Sequence, residues 1–273
     1  MYTIKDSERK NIIEAYDEEG NLVGEAIICP FKASDIHEKP RMNIYFDINV
    51  NDIEGKNDIK DQMFDEIIKR SRTISEKYKD FVVKVYHCCF SDNKESIEYY
   101  SSKEGFKNDE GMYIIKKELL DEEIFEVKEI EGVDFCHLQF EDEHEMMELV
   151  EKQNKVFASG YFVEDLKNLK NSTQWFSIAA KYKGEIIGNI LIVIKEESKV
   201  KYGWVDDLFV SKEWRKFGIG KNLILKALNE LIILGVKESR LEVWSDNKRA
   251  LSVYESVGYK FYQQTECSIG MFL

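Results

Sequence analysis

The sequence predicts an α/β protein built as two tandem units, and three observations carry that reading. The first is length: 273 residues, against roughly 100–200 per domain. The second is an internal repeat. Ser91-Asp92-Asn93-Lys94 recurs as Ser245-Asp246-Asn247-Lys248 at an offset of 154, and Tyr100 maps onto Tyr254 at the same offset. Gly105-Phe106-Lys107 maps onto Gly258-Tyr259-Lys260 after a one-residue slip. The third is that hydrophobic periodicity switches between strand-like and helix-like in the same order in both halves.

The elements follow in that order. Residues 12–16, the turn Asp17-Glu18-Glu19-Gly20-Asn21 and residues 22–29 read as a β-hairpin. Residues 176–181, a Lys183-Gly184 turn and residues 186–194 read the same way. β-rich runs come next, at 43–50 and 202–210. Each leads to an amphipathic stretch. Ile59, Met63, Phe64, Ile67 and Ile68 form one stripe; Leu223, Ile224, Ala227, Leu228, Leu231 and Ile232 form the other. Spacings of three and four fit helices with one buried face. Short strands at 81–86 and 240–244, second helices at 93–102 and 247–256, and closing β-like sequence complete a β-β-β-α-β-α-β pattern in each half. The second half opens with an extra portion, residues 124–171, holding an expected strand at 124–130 and helices near 141–157 and 163–169. The boundary falls near residue 120, giving domains 1–120 and 121–273.

Composition narrows the class. The chain carries 52 acidic and 39 basic side chains, a formal net charge of −13. That balance excludes the basic footprint of a nucleic-acid binder and disfavours an anionic membrane surface. The charge is local: residues 121–151 hold 13 acidic side chains and one basic one, Lys128. There is no signal-peptide pattern at the start, and the longest apolar run, 186–194, is too short for a bilayer. Five cysteines without close spacing motifs read as reduced thiols of a cytoplasmic protein. The His-Cys neighbours His87-Cys88-Cys89 and Cys136-His137 lack zinc spacing, so no metal is expected.

One segment carries chemistry. The strand Trp204-Val205-Asp206-Asp207-Leu208-Phe209-Val210 runs into Ser211-Lys212-Glu213-Trp214-Arg215-Lys216-Phe217-Gly218-Ile219-Gly220-Lys221, and a helix follows. Glycines at a strand-to-helix turn let backbone approach a ligand. The first N–H groups of the helix lack intrahelical partners and form an anion site. Lys212, Arg215, Lys216 and Lys221 add positive charge in an otherwise acidic chain. The spacing is neither a P-loop nor a dinucleotide fingerprint.

Arg215-Lys216-Phe217-Gly218-Ile219-Gly220 resembles the R/Q-x-x-G-x-G/A acyl-CoA signature of the GNAT superfamily of N-acetyltransferases. Asp207-Leu208-Phe209-Val210 resembles that family's central strand. Asn247-Lys248-Arg249-Ala250 with Tyr254-Glu255-Ser256-Val257-Gly258-Tyr259 resembles its later motif, in the expected order. The resemblance implies two GNAT-like domains, each a mixed β-sheet flanked by helices, and acetyl-CoA as co-substrate. It implies that Leu208, Phe209 and Val210 pair with the pantetheine arm through their backbone. Arg215, Lys216, Phe217, Gly218, Ile219, Gly220 and Lys221 would cradle the pyrophosphate, and Asn247 would contact pantetheine. It makes Tyr254 the general acid for the departing thiolate, a role a phenol suits because it stays protonated at neutral pH. A carboxylate is expected to take the proton of the attacking amine. Asp206 and Asp207 are adjacent and should point to opposite faces unless a bulge intervenes. Val-Asp-Asp-Leu-Phe-Val resembles the matching strand of spermidine/spermine acetyltransferases, where the acidic residue matching Asp206 is implicated as base, and this favours Asp206.

Aligning Val50 with Val210 puts Asp58 at the position of Gly218, Lys60 at that of Gly220 and Phe46 opposite Asp206. The first half therefore reads as a degenerate domain without a cofactor loop. The expected activity is transfer of an acetyl group to a primary amine, a small cationic one, by direct attack on the thioester. Alternative readings are a protein N-terminus or lysine as acceptor, or a non-catalytic acyl-CoA-binding regulator. No nucleic-acid or membrane partner is expected, and nothing in the sequence specifies an oligomeric state. The acidic run has two readings: an attractant for a cationic acceptor, or solvated and helix-capping carboxylates.

Overall fold

The computed structural model describes residues 2–273 except 34, 35, 38, 121–123, 158, 159 and 173. The first three residues of the acidic run thus lie outside the described residues. The chain divides into two units. The first comprises Met1–Met112, Trp244–Asp246 and Gln264–Leu273; the second comprises Tyr113–Val243 and Asn247–Gln263.

The first unit begins with β1 (Thr3–Asp6), a four-residue strand that the sequence pattern does not announce. The hairpin β2 (Ile12–Tyr16) and β3 (Leu22–Lys32) follows, then β4 (Arg41–Val50), α1 (Lys56–Ser75), β5 (Val82–Phe90) and α2 (Lys94–Ser101). The unit also takes the opening residues of β6 (Lys107–Glu118) and the end of β12 (Lys260–Phe272). The sheet order is β1-β2-β3-β4-β5-β12-β6. β4 and β5 run parallel over Arg41–Tyr45 and Val82–Tyr86, while β1–β2, β2–β3, β3–β4 and β5–β12 are antiparallel. Ile59, Met63 and Ile67 of α1 are fully buried against Ile13, Ala15, Ile44 and Phe46 of the sheet, so the expected stripe is the core face.

The second unit contains β7 (Val133–Leu138), α3 (Glu143–Asn154), α4 (Val163–Ser172), β8 (Trp175–Tyr182), β9 (Glu185–Glu197), β10 (Val200–Val210), a 3-10 turn (Lys212–Trp214), α5 (Ile219–Ile233), β11 (Glu238–Trp244) and α6 (Lys248–Glu255). Its strands run β12-β6-β11-β10-β9-β8-β7. β10 and β11 are parallel, whereas β7–β8, β8–β9 and β9–β10 are antiparallel. The sheet has a core on each face. On one, Leu223, Ile224, Leu228 and Leu231 of α5 pack on Ile190, Ile192 and Val205. On the other, Met146 and Leu149 of α3 and Leu166 of α4 pack on Ile186, Leu191 and Phe209. Among the described residues, no helix is long and apolar enough to cross a membrane.

The expected strand at 124–130 is not one. Its backbone is satisfied by two side-chain amides of α5, seven residues and about two turns apart. Asn229 donates to the carbonyl of Phe125 at 2.9 Å and accepts from its N–H at 2.8 Å. Asn222 donates to the carbonyl of Lys128 at 2.7 Å and accepts from its N–H at 3.3 Å. Each amide offers the donor and acceptor a neighbouring strand would offer. The segment therefore lies along a helix, and among the described residues the first strand after residue 120 is β7.

Five carboxylates of the acidic run have partners within the second unit. Asp142 caps α3 by accepting from the N–H of Glu145 at 2.7 Å. Glu145 accepts from the N–H groups of Gln139 and Phe140, and Glu148 from that of Ile186. Glu143 pairs with Lys167 at 2.9 Å and Glu151 with Lys155 at 2.6 Å.

Candidate active site

The site is organised by an irregularity in β10. Val205 stands opposite Ile192, but Asp207 stands opposite Leu191, so Asp206 has no partner on β9. It is the extra residue of a β-bulge. In a regular strand Asp207 would share a face with Val205. The bulge instead puts Asp207 opposite Leu191, a member of the core on the α3–α4 face, and leaves Leu208 opposite Ile190 on the α5 face. Asp206 is exposed and Asp207 half-buried.

The two carboxylates have different surroundings. Asp206 accepts a hydrogen bond from the hydroxyl of Tyr161, in the connection between α3 and α4. Asp207 is pushed up to about 7, chiefly by removal from solvent and further by the charge of Asp206. A hydrogen bond from the Gln153 side chain and one from the backbone of Leu208 oppose that rise. Gln153 is buried at the end of α3, and its carbonyl oxygen also accepts from the Tyr161 N–H at 2.8 Å. Neither Gln153 nor Tyr161 is signalled by the sequence motif. Gln153 sits on the buried face of an amphipathic helix where an apolar residue is usual, and that is the one clue it gave.

β10 also opens on its other edge. It pairs with β11 only over Gly203–Val205, opposite Ser239–Leu241. Beyond the bulge, Leu208, Phe209 and Val210 have no β11 residue beside them among the described pairings. A free backbone edge of this kind accepts an extended ligand as an added strand.

The loop after β10 ends at the N-terminus of α5. Gly218 is its cap residue, at φ 85° and ψ 0°, with no side-chain cap. The left-handed conformation is one that L side chains rarely adopt. Lys216, at φ 71°, also lies in that region, an uncommon state for a residue with a Cβ. Ile219 is buried and anchors the helix, while Lys216, Phe217, Gly218 and Lys221 are exposed. A Cβ on Gly220 would meet only Val210, at 3.5 Å, so the conformational demand rests on Gly218. The Arg215 guanidinium donates to the Val210 carbonyl at 3.3 Å, holding the loop against the strand. The backbone N–H groups at 219–221 precede the first intrahelical bond, which Asn222 makes to Gly218 at 3.0 Å. Those donors and the helix dipole suit an anion.

Tyr254 lies on α6, 9% exposed, with its ring edge-on to Tyr259 at 5.8 Å. Burial raises its pKa above the ordinary tyrosine value, with Tyr259 and the Asp207 charge adding to the rise. It therefore keeps its proton throughout the neutral range. Asn247 is the N-cap of α6 and accepts from the Ala250 N–H at 3.2 Å. Its counterpart Asn93 caps α2 in the same way, accepting from Ser96 at 3.1 Å. What the repeated Ser-Asp-Asn-Lys preserves is a helix start.

The first unit differs from the gapless alignment of the sequence. β4 pairs with β3 without interruption from Gly24–Val50 to Lys32–Met42, so it has no bulge. Asp47 is then the counterpart of Asp207, and Asp206 has none. The loop before α1 has five residues, 51–55, against eight, 211–218, before α5. Gly55, at φ 81° and ψ 10°, is the cap that matches Gly218, so Asp58 does not replace that glycine; it falls in the first turn of the helix, where Lys221 stands in α5. The cap is closed over as well: the Tyr2 hydroxyl donates to the Glu54 carbonyl at 3.1 Å and would lie 2.9 Å from a Cβ on Gly55. Where β4 and β5 part, Phe46 fills the core with Tyr100 at 5.5 Å and Phe64 at 5.9 Å.

Among the described residues, no three His, Cys, Asp or Glu side chains gather as a metal site.

Comparison with known proteins gives three kinds of likeness. Residues 138–259 match the profile of the Acetyltransferase (GNAT) family. N-alpha-acetyltransferase MAK3 of Arabidopsis thaliana is 28% identical over 152 residues, covering 53% of this chain and 74% of that protein. N-alpha-acetyltransferase 30 of Homo sapiens is 25% identical over 124 residues, covering 45% of this chain; the chain spans about a third of that relative, 34%. A tandem GNAT protein from the clavulanic acid biosynthesis pathway superposes with a TM-score of 0.51 over 96% of this chain and 82% of its own, at 12% identity. That last likeness is one of fold, and it extends through both units.

The raised Asp207 has a consequence for stability. Its folded pKa, about 7, exceeds the ordinary 3.8, so the native state binds a proton that the unfolded chain releases, and stability falls as pH rises from about 4 to 7. Asp207→Asn should leave the apparent melting temperature unchanged at pH 4 and raise it by about 3 °C or more at pH 8. Differential scanning calorimetry at the two pH values checks this; an equal shift at both contradicts it.

Proposed function

We propose that the second unit, whose residues 138–259 match the acetyltransferase (GNAT) family, is an acetyl-CoA-dependent N-acetyltransferase that passes the acetyl group to a small cationic primary amine. The observation that carries the site assignment is the bulge. It sets a carboxyl poised at about 7 on one side of β10 while the strand's other edge stands open.

The chain's residues divide the work as follows. Bound acetyl-CoA supplies the activated thioester carbonyl. The N–H groups from Arg215 through Lys221 hold its pyrophosphate at the start of α5, with Gly218 keeping the turn open. The free edge of Leu208, Phe209 and Val210 holds the pantetheine arm, and Asn247 lies at the start of α6 beside it. Asp207 takes the proton of the acceptor ammonium, because a base poised near 7 matches neutral working conditions. This departs from the motif's preference for Asp206, whose exposed carboxylate is better suited to drawing the cationic acceptor in. Tyr254 donates to the departing sulfur. A second acceptor, a polypeptide α-amino group, is favoured by one observation: the two curated relatives above are N-alpha-acetyltransferases.

The first domain, residues 1–120, holds no second cofactor site in this reading. It keeps the cap glycine but lacks the bulge, three loop residues and the cations of Arg215 and Lys216. Titration calorimetry should give one acetyl-CoA per chain, and Gly218→Val should weaken that binding at least about tenfold through the strained turn; two equivalent sites contradict the reading.

The acceptor is tested by CoA release with polyamines, aminoglycosides, amino acids and peptides bearing free N-termini. Small cationic amines should be turned over, with kcat/KM rising about tenfold per pH unit below pH 7 and levelling above it, since Asp207 must be ionised. Turnover of peptides alone selects the second acceptor. No turnover of any amine by protein that binds acetyl-CoA contradicts both.

A further inference from the structure

One buried side chain joins the base to the acceptor side of the site. Gln153 is 4% exposed. Its side chain hydrogen-bonds to Asp207, and since a carboxylate only accepts, the amide nitrogen is the donor. Its oxygen accepts from the Tyr161 N–H at 2.8 Å, and the Tyr161 hydroxyl donates to Asp206. Asp206 and Asp207 are consecutive, so the ring closes: Asp207, Gln153, Tyr161, Asp206. The connection is crowded at this point, because a Cβ on Gly160 would lie 2.7 Å from the Gln153 oxygen and 2.1 Å from that of Asn154.

Resting on the acetyl-transfer reading above, we propose that Gln153 is a positioning residue whose amide fixes the Asp207 carboxylate with one end and the Tyr161 backbone with the other. The base and the tyrosine that meets Asp206 are thereby placed as one unit. A glutamine suits this because it offers a donor and an acceptor on one neutral head, whereas a charged side chain would cost far more to bury. The charged and titratable groups coupled to Asp207 are Asp206 from its own strand, Tyr161 beyond α3 and Tyr254 from α6. None of them is a cation, so Gln153 is the side-chain donor that favours the ionised form.

The test is carboxyl titration of Asp207 by carbon-13 NMR in the full chain, which needs no turnover. Gln153→Met keeps the length and removes both hydrogen bonds. Gln153→Glu keeps the acceptor and replaces the donor by a second carboxyl. Each should move the Asp207 midpoint upward by about one pH unit or more, and the acidic limb of kcat/KM should move with it while acetyl-CoA affinity stays within about twofold. Tyr161→Phe should leave the midpoint in place and raise KM for the acceptor. A midpoint that does not move in whichever Gln153 variant folds overturns the proposal. Failure of the acetyl-transfer reading looks different: the parent protein then turns over no amine, whatever the titration shows.

Discussion

A strand of period two cannot present two consecutive carboxylates to one cleft, and β10 escapes that constraint by carrying one residue too many. Asp206 has no partner on β9, and everything after it changes face. Asp207 moves to the side where α3 packs, out of the core beneath α5, and there Gln153 reaches it. The same irregularity coincides with the end of pairing to β11, which frees the backbone edge of 208–210. A bulge raises local twist and interrupts the ladder. The insertion thus sits beside the proposed base, where the edge for an extended ligand begins.

The two units share most of this frame. β4 and β10 are each followed by a glycine-capped helix, and each parts from a parallel neighbour after a short pairing. α2 and α6 each start on a capping asparagine and bury a tyrosine. The architecture is common to both, so it does not by itself make an acetyl-transfer site. In the first unit the strand is regular, Phe46 is fully buried, and an aromatic cluster takes the space.

Sequence periodicity made most of this fold legible. The hairpins, both amphipathic helices and the repeat are found where the residues placed them. So are the glycines of the loop, because a left-handed cap leaves a strong compositional trace. What stayed hidden was whatever depends on register. Asp206 and Asp207 look equivalent in a string of letters, and only the pairing with Ile192 and Leu191 separates them. Residues 124–130 read as a strand, but the partners of Phe125 and Lys128 are Asn229 and Asn222, about a hundred residues away. The gapless alignment of the two halves failed for the same reason: one residue is missing at the bulge and three in the loop. In the acidic run, Asp142 caps α3 and Glu145 and Glu148 accept from backbone N–H groups, partners that the sequence does not reveal.

Acetyl transfer in this reading rests on Asp207, held opposite Leu191 on the face where Gln153 packs. Asp207→Asn leaves the bulge, the loop and Tyr254 in place. The expected result is a folded chain that still binds acetyl-CoA, judged by near-ultraviolet circular dichroism and calorimetry, with acetyl transfer reduced about 100-fold or more. Turnover by the folded Asp207→Asn variant within about threefold of the parent would contradict the proposed role.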